Sequence, residues 1–275
     1  MKGKHKINRK RRIFDLFILL TLPIIFYSCA DSMIFHPPKC SYTTSRHLIT
    51  IPTVERQQIA ALYWPAEANN YVVLLSHGNA EDIGQLRGHI QRFNIEGFGI
   101  LAYDYRGYGL SQGKPTERNA YEDVEAAYQY LTAEQKIDPS QIIVHGRSVG
   151  CGPSVWLAEQ YPVGGLILES PFVSAFRVVT RWPILPFDKF NNLARIKNVH
   201  CPLLVIHGQQ DQIVRFWHGQ TIYDGANQPK MHYWVEGAGH NDLIYRAGKD
   251  YWKTLNDFKN FLTQPQNEKS VSDAN

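Results

Sequence analysis

The chain has 275 residues, enough for one large α/β domain with a well-buried core. It carries 29 Lys and Arg residues against 25 Asp and Glu, and residues 1–28 hold seven of the bases but only one of the acids. The rest of the chain is therefore left with 22 basic and 24 acidic side chains, so the basic excess belongs to the N-terminus. This balance argues against a nucleic-acid-binding surface on the folded part.

The N-terminal residues 1–28 are typical of a targeting segment. A basic stretch precedes an apolar run from Leu16 to Tyr27, which is short for a membrane span, and Ser28 and Cys29 follow it. A small residue before cysteine at this point predicts a lipoprotein signal with Cys29 lipidated; a signal-anchor helix and a cleavable non-lipid signal are the alternatives. In a bacterial host all three predict a domain outside the cytoplasm, and the first two predict membrane anchoring in the cell envelope through the N-terminus.

Residues 29–47 are interpreted as an irregular connector into a domain that spans residues 48–263. Two short apolar runs, His47–Val54 and Ile59–Trp64, predict an antiparallel strand pair at a sheet edge. The next runs are almost continuously apolar, which is typical of strands covered by helices on both faces. These predicted strands are Tyr71–His77, Gly99–Tyr103, Gln141–His145, Gly165–Leu168, Pro202–His207 and the weaker Met231–Val235.

Helical patterns alternate with these strands, and two of them begin with a candidate N-cap, Asp82 and Thr116. The alternation predicts an α/β fold with a mostly parallel, doubly wound sheet. Residues 264–275 are polar, and their composition predicts a disordered tail. The predicted helices are Asp82–Asn94, Thr116–Leu131, Ser148–Tyr161, Arg215–Gly225 and Ala247–Leu262.

One segment, residues 171–200, interrupts the alternation and is rich in aromatic and proline residues. We expect a short cap insertion that lines a substrate pocket for an acyl chain. The alternative interpretation is that these side chains only cover the sheet. The candidate pocket residues are Phe172, Trp182, Leu185 and Phe187.

The strongest motif is Gly146-Arg147-Ser148-Val149-Gly150. It follows an apolar strand and opens a predicted helix, which is the context of a nucleophile elbow. In such a turn the serine hydroxyl is lifted above the sheet, and the flanking glycines avoid clashes with the neighbouring strand and helix. Ser148 is therefore predicted to be a catalytic nucleophile.

A serine nucleophile requires a base and a carboxylate, which follow it in the order acid, then histidine, in this type of site. Asp211 and His240 each come directly after a predicted strand, where the carboxyl ends of parallel strands converge on one crevice. We expect His240 to act as general base and Asp211 to fix its tautomer, with Glu169 as the alternative acid.

An oxyanion hole is expected from two backbone amides. One belongs to Val149, directly after the nucleophile, and the other to Asn79 in the loop after Tyr71–His77, with Ala80 as the alternative. Because the backbone supplies the donor, the side chain of Asn79 is not required in this interpretation.

Several stretches together resemble the α/β-hydrolase superfamily over about residues 34–262. Within it they are similar to a branch of membrane-associated serine hydrolases that includes the eukaryotic acyl-protein thioesterases acting on palmitoylated proteins. The resemblance implies an α/β-hydrolase fold. The matching stretches are Ile34-Phe35-His36-Pro37-Pro38, His77-Gly78-Asn79-Ala80-Glu81-Asp82, the run from Tyr103 to Ser111, Gly146 to Gly150, Ile206-His207-Gly208 with Asp211, and Gly239-His240-Asn241.

The expected reaction is hydrolysis of a carboxylic ester or thioester through an acyl-enzyme intermediate. It requires no metal or organic cofactor, and the expected partner is a small ester or acylated substrate. A serine peptidase on the same fold and a non-catalytic envelope binding protein are the alternatives. The spacing of Cys40, Cys151 and Cys201 suits neither a disulfide framework nor a zinc site.

Overall fold

The structure, a computed structural model, describes residues 30–67, 70–182 and 188–264. Eight strands within these residues form one sheet: β1 Leu48–Pro52, β2 Gln58–Trp64, β3 Val72–Ser76, β4 Gly99–Tyr103, β5 Ile142–Arg147, β6 Gly165–Glu169, β7 Leu203–Gly208 and β8 Lys230–Val235. Their order is β1-β2-β4-β3-β5-β6-β7-β8. The pairs β1–β2 and β2–β4 are antiparallel and the other pairs are parallel. The mostly parallel sheet and its antiparallel edge pair are confirmed.

Helices cover both faces of the sheet. On one face Leu74 of β3 belongs to a core shared with Val124 and Val155, and on the other Val73 belongs to a core shared with Phe93 and Phe258. This alternation follows from the two-residue period of a strand. The helices are α1 Arg87–Ile95, α2 Glu117–Gln129, α3 Cys151–Gln160, α4 Ala175–Val179, α5 Asn192–Arg195, α6 Trp217–Gly225, α7 Leu243–Ala247 and α8 Lys249–Thr263.

Two helix starts illustrate where the sequence interpretation holds and where it fails. Thr116 caps α2, because its side chain accepts a hydrogen bond of 3.0 Å from the Asn119 amide. Asp82 does not cap α1, which begins at Arg87 instead. The Asp82 carboxylate accepts hydrogen bonds from the amide and hydroxyl of Ser41, so a distant segment holds the chain in a turn here. The predicted helix Ala247–Leu262 corresponds to α8, Lys249–Thr263, and Gly248 with φ 55° separates it from the short preceding helix α7.

The predicted irregular connector is in fact docked onto the domain. Residues 30–34 are helical, and we call residues 31–42 the N-terminal strap. Phe35 is buried, with ring centroids of Tyr105, Tyr108 and Phe190 within 6.4 Å of its own. The hydroxyl of Tyr42 donates to Asp104 at the far end of the strap. These contacts hold the strap across the end of the sheet that carries the candidate site.

Among the residues that the structure describes, no helix combines the length and hydropathy that a bilayer crossing requires.

Candidate active site

The turn after β5 has the backbone of a nucleophile elbow. Ser148 has φ 51°, a left-handed conformation that non-glycine residues rarely adopt, and a 3-10 turn leads from it into α3. Gly150 packs so closely against β3 that a Cβ there would lie 2.1 Å from the Ser76 carbonyl oxygen. Only glycine fits this approach, which fixes Ser148 at the carboxyl end of the sheet.

Three side chains from separate loops meet at this point. His240 Nδ1 lies 2.7 Å from Asp211 Oδ2, and His240 Nε2 lies 3.0 Å from Ser148 Oγ. An ionised carboxylate can only accept hydrogen bonds, so the imidazole proton belongs on Nδ1 and Nε2 is left to accept the serine hydroxyl. The structure thus brings together the residues predicted as nucleophile, base and acid.

Asp211 is held by its own turn between β7 and α6. Its Oδ1 accepts hydrogen bonds of 2.9 and 2.8 Å from the amides of Ile213 and Val214. Burial by itself would raise the pKa of Asp211, but hydrogen bonds from His207 and His240 outweigh it and hold the pKa well below its usual range. The carboxylate is therefore ionised at neutral pH, as the orienting group of such a histidine must be.

Glu169, the alternative acid, has a different set of partners. Its carboxylate lies 3.1 Å from Arg147 Nε and accepts a hydrogen bond of 2.8 Å from the Tyr251 hydroxyl. Burial would raise the pKa of Glu169, but the neighbouring His145, 3.8 Å away, and the charge of Arg147 lower it to about 2. Among the contacts that Glu169 makes with described residues, none involves His240.

The loop after β3 holds Asn79 through its side chain. Oδ1 accepts hydrogen bonds from the Tyr108 hydroxyl at 2.7 Å and the His36 amide at 2.9 Å, and Nδ2 donates to the Ile34 carbonyl. The Ala80 amide donates to the same Oδ1 at 3.0 Å, which makes Ala80 the weaker candidate for an oxyanion donor. The sequence alone indicated no role for the side chain of Asn79, whereas in the structure this side chain connects the loop to the strap.

An ion pair that sequence reasoning missed joins this loop to the elbow. Glu81 accepts a hydrogen bond of 2.6 Å from the Gly78 amide, and Arg147 Nη1 lies 2.7 Å from Glu81 Oε2. Arg147 also contacts Glu169, so the guanidinium of the residue before Ser148 connects two carboxylates. Because 66 residues separate Glu81 from Arg147, no local pattern could have signalled the pair.

Ser148 and His240 open into a pocket of about 420 Å³, and Asn79 and Val149 line it beside them. That volume lies in the usual range for small-molecule sites. Most of its wall is apolar and comes from the cap segment, the loop before α6 and the strap: Phe172, Ala175, Phe176, Val178, Val179, Ile213, Val214, Met33 and Ile34.

The predicted pocket residues are only partly found in this wall. Phe172 is buried, lines the pocket and packs against Phe190 with a centroid distance of 6.3 Å. Trp182 is 72% exposed and is not among the described lining residues, because it follows the end of α4 and its side chain is in solvent. The predictions for Leu185, Phe187 and Cys29 fall outside the residues that the structure describes.

Across residues 30–67, 70–182 and 188–264, no three His, Cys, Asp or Glu side chains are grouped so that they could hold a metal ion. The described cysteines, Cys40, Cys151 and Cys201, are free thiols. Cys151 lies buried at the start of α3, where its thiol donates to the Gly146 carbonyl at 3.2 Å.

Comparison with known proteins places the chain among hydrolases. Residues 67–193 match the serine aminopeptidase S33 family. The alpha/beta hydrolase domain-containing protein 17B of Homo sapiens is 39% identical over 219 residues, which cover 77% of this chain and 73% of the human protein. Protein 17C of Mus musculus is 42% identical over 200 residues, which cover 70% of this chain and 61% of the mouse protein.

Solved structures of low sequence identity share the fold. An esterase of Pyrococcus furiosus superimposes with a TM-score of 0.70 at 18% identity, covering 82% of this chain and 97% of the esterase. An esterase from a Rhodococcus species gives a TM-score of 0.64 at 16% identity, covering 78% of this chain and 99% of that protein. The chain is therefore a hydrolase and belongs to the α/β-hydrolase family that includes the alpha/beta hydrolase domain-containing proteins 17B and 17C.

Proposed function

We propose that this hydrolase cleaves carboxylic esters or thioesters with Ser148 as nucleophile, His240 as general base and Asp211 as the orienting acid. The observation that carries the proposal is the continuous contact from Asp211 through His240 to the Ser148 hydroxyl, at 2.7 and 3.0 Å. Such a relay activates a hydroxyl that is otherwise a weak nucleophile at neutral pH.

The reaction begins when His240 Nε2 takes the proton of Ser148 as the serine oxygen attacks the acyl carbon. The negative oxygen that forms is stabilised by the amides of Val149 and Asn79, which line the same pocket. Collapse of this intermediate releases the alcohol or thiol with the proton from His240 and leaves an acyl group on Ser148. Water, deprotonated by His240, then attacks the acyl-enzyme and frees the carboxylic acid.

The apolar wall favours an acyl chain as the group bound beside Ser148. Phe172, Phe176 and Val178 supply apolar surface to the same pocket that Ser148 lines. Burying an acyl chain against such surface is favourable in proportion to the area removed from water. A medium-length acyl ester or thioester therefore suits the pocket.

A peptidase reaction suits the pocket less well. A peptidase that binds the free amino terminus of its substrate would be favoured by an unpaired carboxylate near the nucleophile, since a buried ammonium group needs a partner. Glu81, the acid that lines the pocket, is already paired with Arg147 and with the Gly78 amide. We therefore place ester and thioester hydrolysis ahead of the peptidase alternative.

The enzymatic proposal is tested with p-nitrophenyl esters of increasing acyl length and, in parallel, with aminoacyl p-nitroanilides. We expect ester turnover with an optimum at medium length and covalent labelling by a fluorophosphonate probe. Ser148→Ala should abolish labelling while the circular dichroism spectrum stays unchanged. Labelling that persists in Ser148→Ala, or faster turnover of the anilides than of every ester, would contradict the proposal.

We also propose that the N-terminus anchors the domain to a membrane of the cell envelope, with Cys29 lipidated and the domain outside the cytoplasm. The support is the basic and apolar pattern of residues 1–28, followed directly by Cys29. Intact mass spectrometry of the protein from its native membrane tests this. A diacylglyceryl adduct on Cys29 is expected, and a chain that still begins with Met1 would favour the signal-anchor alternative.

A further inference from the structure

The mouth of the pocket is bordered by exposed apolar side chains. Of the residues described, eight large hydrophobic side chains are exposed, and three of these line the pocket. They are Met33, Val179 and Ile213, exposed by 54, 90 and 51%. Single exposed hydrophobic residues are ordinary on protein surfaces, but three around one opening mark an interaction surface.

Trp182 extends this surface from the end of α4. It follows Val179 by three residues and is 72% exposed. The Thr180 hydroxyl donates to the Trp182 carbonyl at 3.0 Å, and the Arg177 guanidinium donates to the Arg181 carbonyl at 3.1 Å, so this segment is folded back on itself. We call Met33, Val179, Trp182 and Ile213 the apolar rim.

The rim is held in place by the same contacts that build the site. Next to Met33, the carbonyl of Ile34 accepts a hydrogen bond from Asn79, and the amide of Ile213 donates to Asp211 at 2.9 Å. Three separate segments therefore expose apolar side chains from fixed backbone positions. This arrangement is typical of a surface that is covered when the protein works.

Charge around the rim favours a negatively charged surface as the cover. Arg181 precedes Trp182, Arg215 follows Ile213 by two residues, and both are exposed. Neither the segment 177–182 nor the segment 212–217 contains an acidic residue, and Asp31, two positions before Met33, is paired with Lys189 at 3.3 Å. Arginine beside tryptophan and aliphatic residues is the composition that binds the headgroup region of anionic membranes.

The position of the N-terminus identifies the cover as a bilayer. Residues 1–29 contain the apolar run and seven basic residues, and they join the described structure at residue 30, three positions before Met33. A segment that anchors in a membrane would therefore bring the rim to the membrane surface first. We propose that the apolar rim inserts into the surface of an anionic lipid bilayer, so that the pocket opens directly toward the acyl chains.

This inference extends the proposed function, because an acyl group embedded in the bilayer could then reach Ser148 without passing through water. Membrane insertion does not depend on catalysis, so it can be measured by fluorescence quenching on a catalytically inactive variant as well. Trp182 is the natural reporter, since it is the exposed tryptophan among the described residues of the rim.

The full chain is placed in nanodiscs of phosphatidylcholine and phosphatidylglycerol, with or without bromine on the acyl chains to quench tryptophan fluorescence. The contribution of Trp182 is the difference between the wild-type protein and Trp182→Phe. We expect brominated lipid to remove most of this difference signal. In unbrominated discs, the emission of Trp182 should lie at a shorter wavelength than in detergent-free buffer. The Ser148→Ala protein should give the same two results.

The matched control is Trp252→Phe. Trp252 lies on α8, where it packs against Phe93 and under the guanidinium of Arg92, so its difference signal should be unaffected by bromine. Tethering alone would bring both tryptophans near the disc without inserting either one. An unquenched Trp182 would overturn the proposal, and it is the result expected if residues 1–29 or a second copy of the chain covered the rim instead.

Discussion

At the scale of single residues, two acids compete for the orienting role, and their partners differ. Asp211 contacts His240, whereas Glu169 is engaged by Arg147 and Tyr251. Both are held ionised, but of the two only Asp211 contacts His240, the histidine that lies against Ser148. The two substitutions that remove these charges therefore have different expected outcomes.

Asp211→Asn should lower kcat by about 10⁴-fold, the magnitude expected when the histidine is held in the wrong tautomer. The side-chain oxygen of the introduced asparagine can still accept hydrogen bonds from the backbone amides of Ile213 and Val214, so the turn should keep its conformation. Glu169→Gln should lower kcat far less but reduce Tm, because Arg147 loses a buried partner. Steady-state ester kinetics with thermal unfolding separate the two, and a larger kcat loss in Glu169→Gln would reassign the acid.

At the scale of elements, the N-terminal strap is part of the site. The backbone of the strap donates a hydrogen bond to the side chain of Asn79 and accepts another from it. The backbone amide of Asn79 is the proposed oxyanion donor. The Tyr108 hydroxyl donates to the same side-chain oxygen. The strap therefore fixes the position of the proposed oxyanion donor, and we expect substitutions that weaken this contact to affect catalysis.

Asn79→Ala should lower kcat by about 10- to 100-fold with little change in KM, because the amide remains but loses its fixed position. Tyr108→Phe is the matched control: it removes one of the bonds to Asn79 and leaves the others, so its effect should be smaller. Ester kinetics on both variants check this. Equal kcat in Asn79→Ala and the wild-type protein would mean that the strap does not position the oxyanion hole.

Features that depend on neighbouring residues were predictable from the sequence, and features that depend on distant contacts were not. Thr116 and Ser148 were predictable because their hydrogen bonds and backbone strain arise within a few residues of each chain position. Asp82 accepts a hydrogen bond from the Gln85 amide as a capping residue would, but its other partner, Ser41, lies 41 residues away, and the helix begins only at Arg87. The sequence of the strap has no strong hydrophobic periodicity. Its docking depends on the contacts of Phe35 with aromatic side chains that come together only in the folded domain.

At the scale of the whole molecule, we expect the buried, uncharged His218 to contribute to the loss of stability in acid. His218 lies at 1% exposure in α6, and its Nδ1 accepts a hydrogen bond of 3.2 Å from the Val173 amide. Burial lowers the pKa of His218 to about 4, and the charges of His207 and Arg177 act in the same direction. The unfolded chain, with a histidine pKa of about 6.5, binds the proton first as the pH falls.

His218 should therefore support the folded state fully above about pH 6.5, and this contribution should be lost as the pH falls toward about 4. The difference in pKa corresponds to about 3 kcal/mol of unfolding free energy across that window. His218→Asn keeps an acceptor for the Val173 amide but cannot titrate, so its unfolding free energy should fall less steeply between about pH 7 and about pH 4.5. Urea unfolding at a series of pH values measures this slope, and the exposed His200→Asn is the control that should follow the wild-type curve. If the unfolding free energy of His218→Asn falls with pH in parallel with that of the wild-type protein, the acid sensitivity arises from other groups, because removing a titrating group also removes its contribution to the pH dependence.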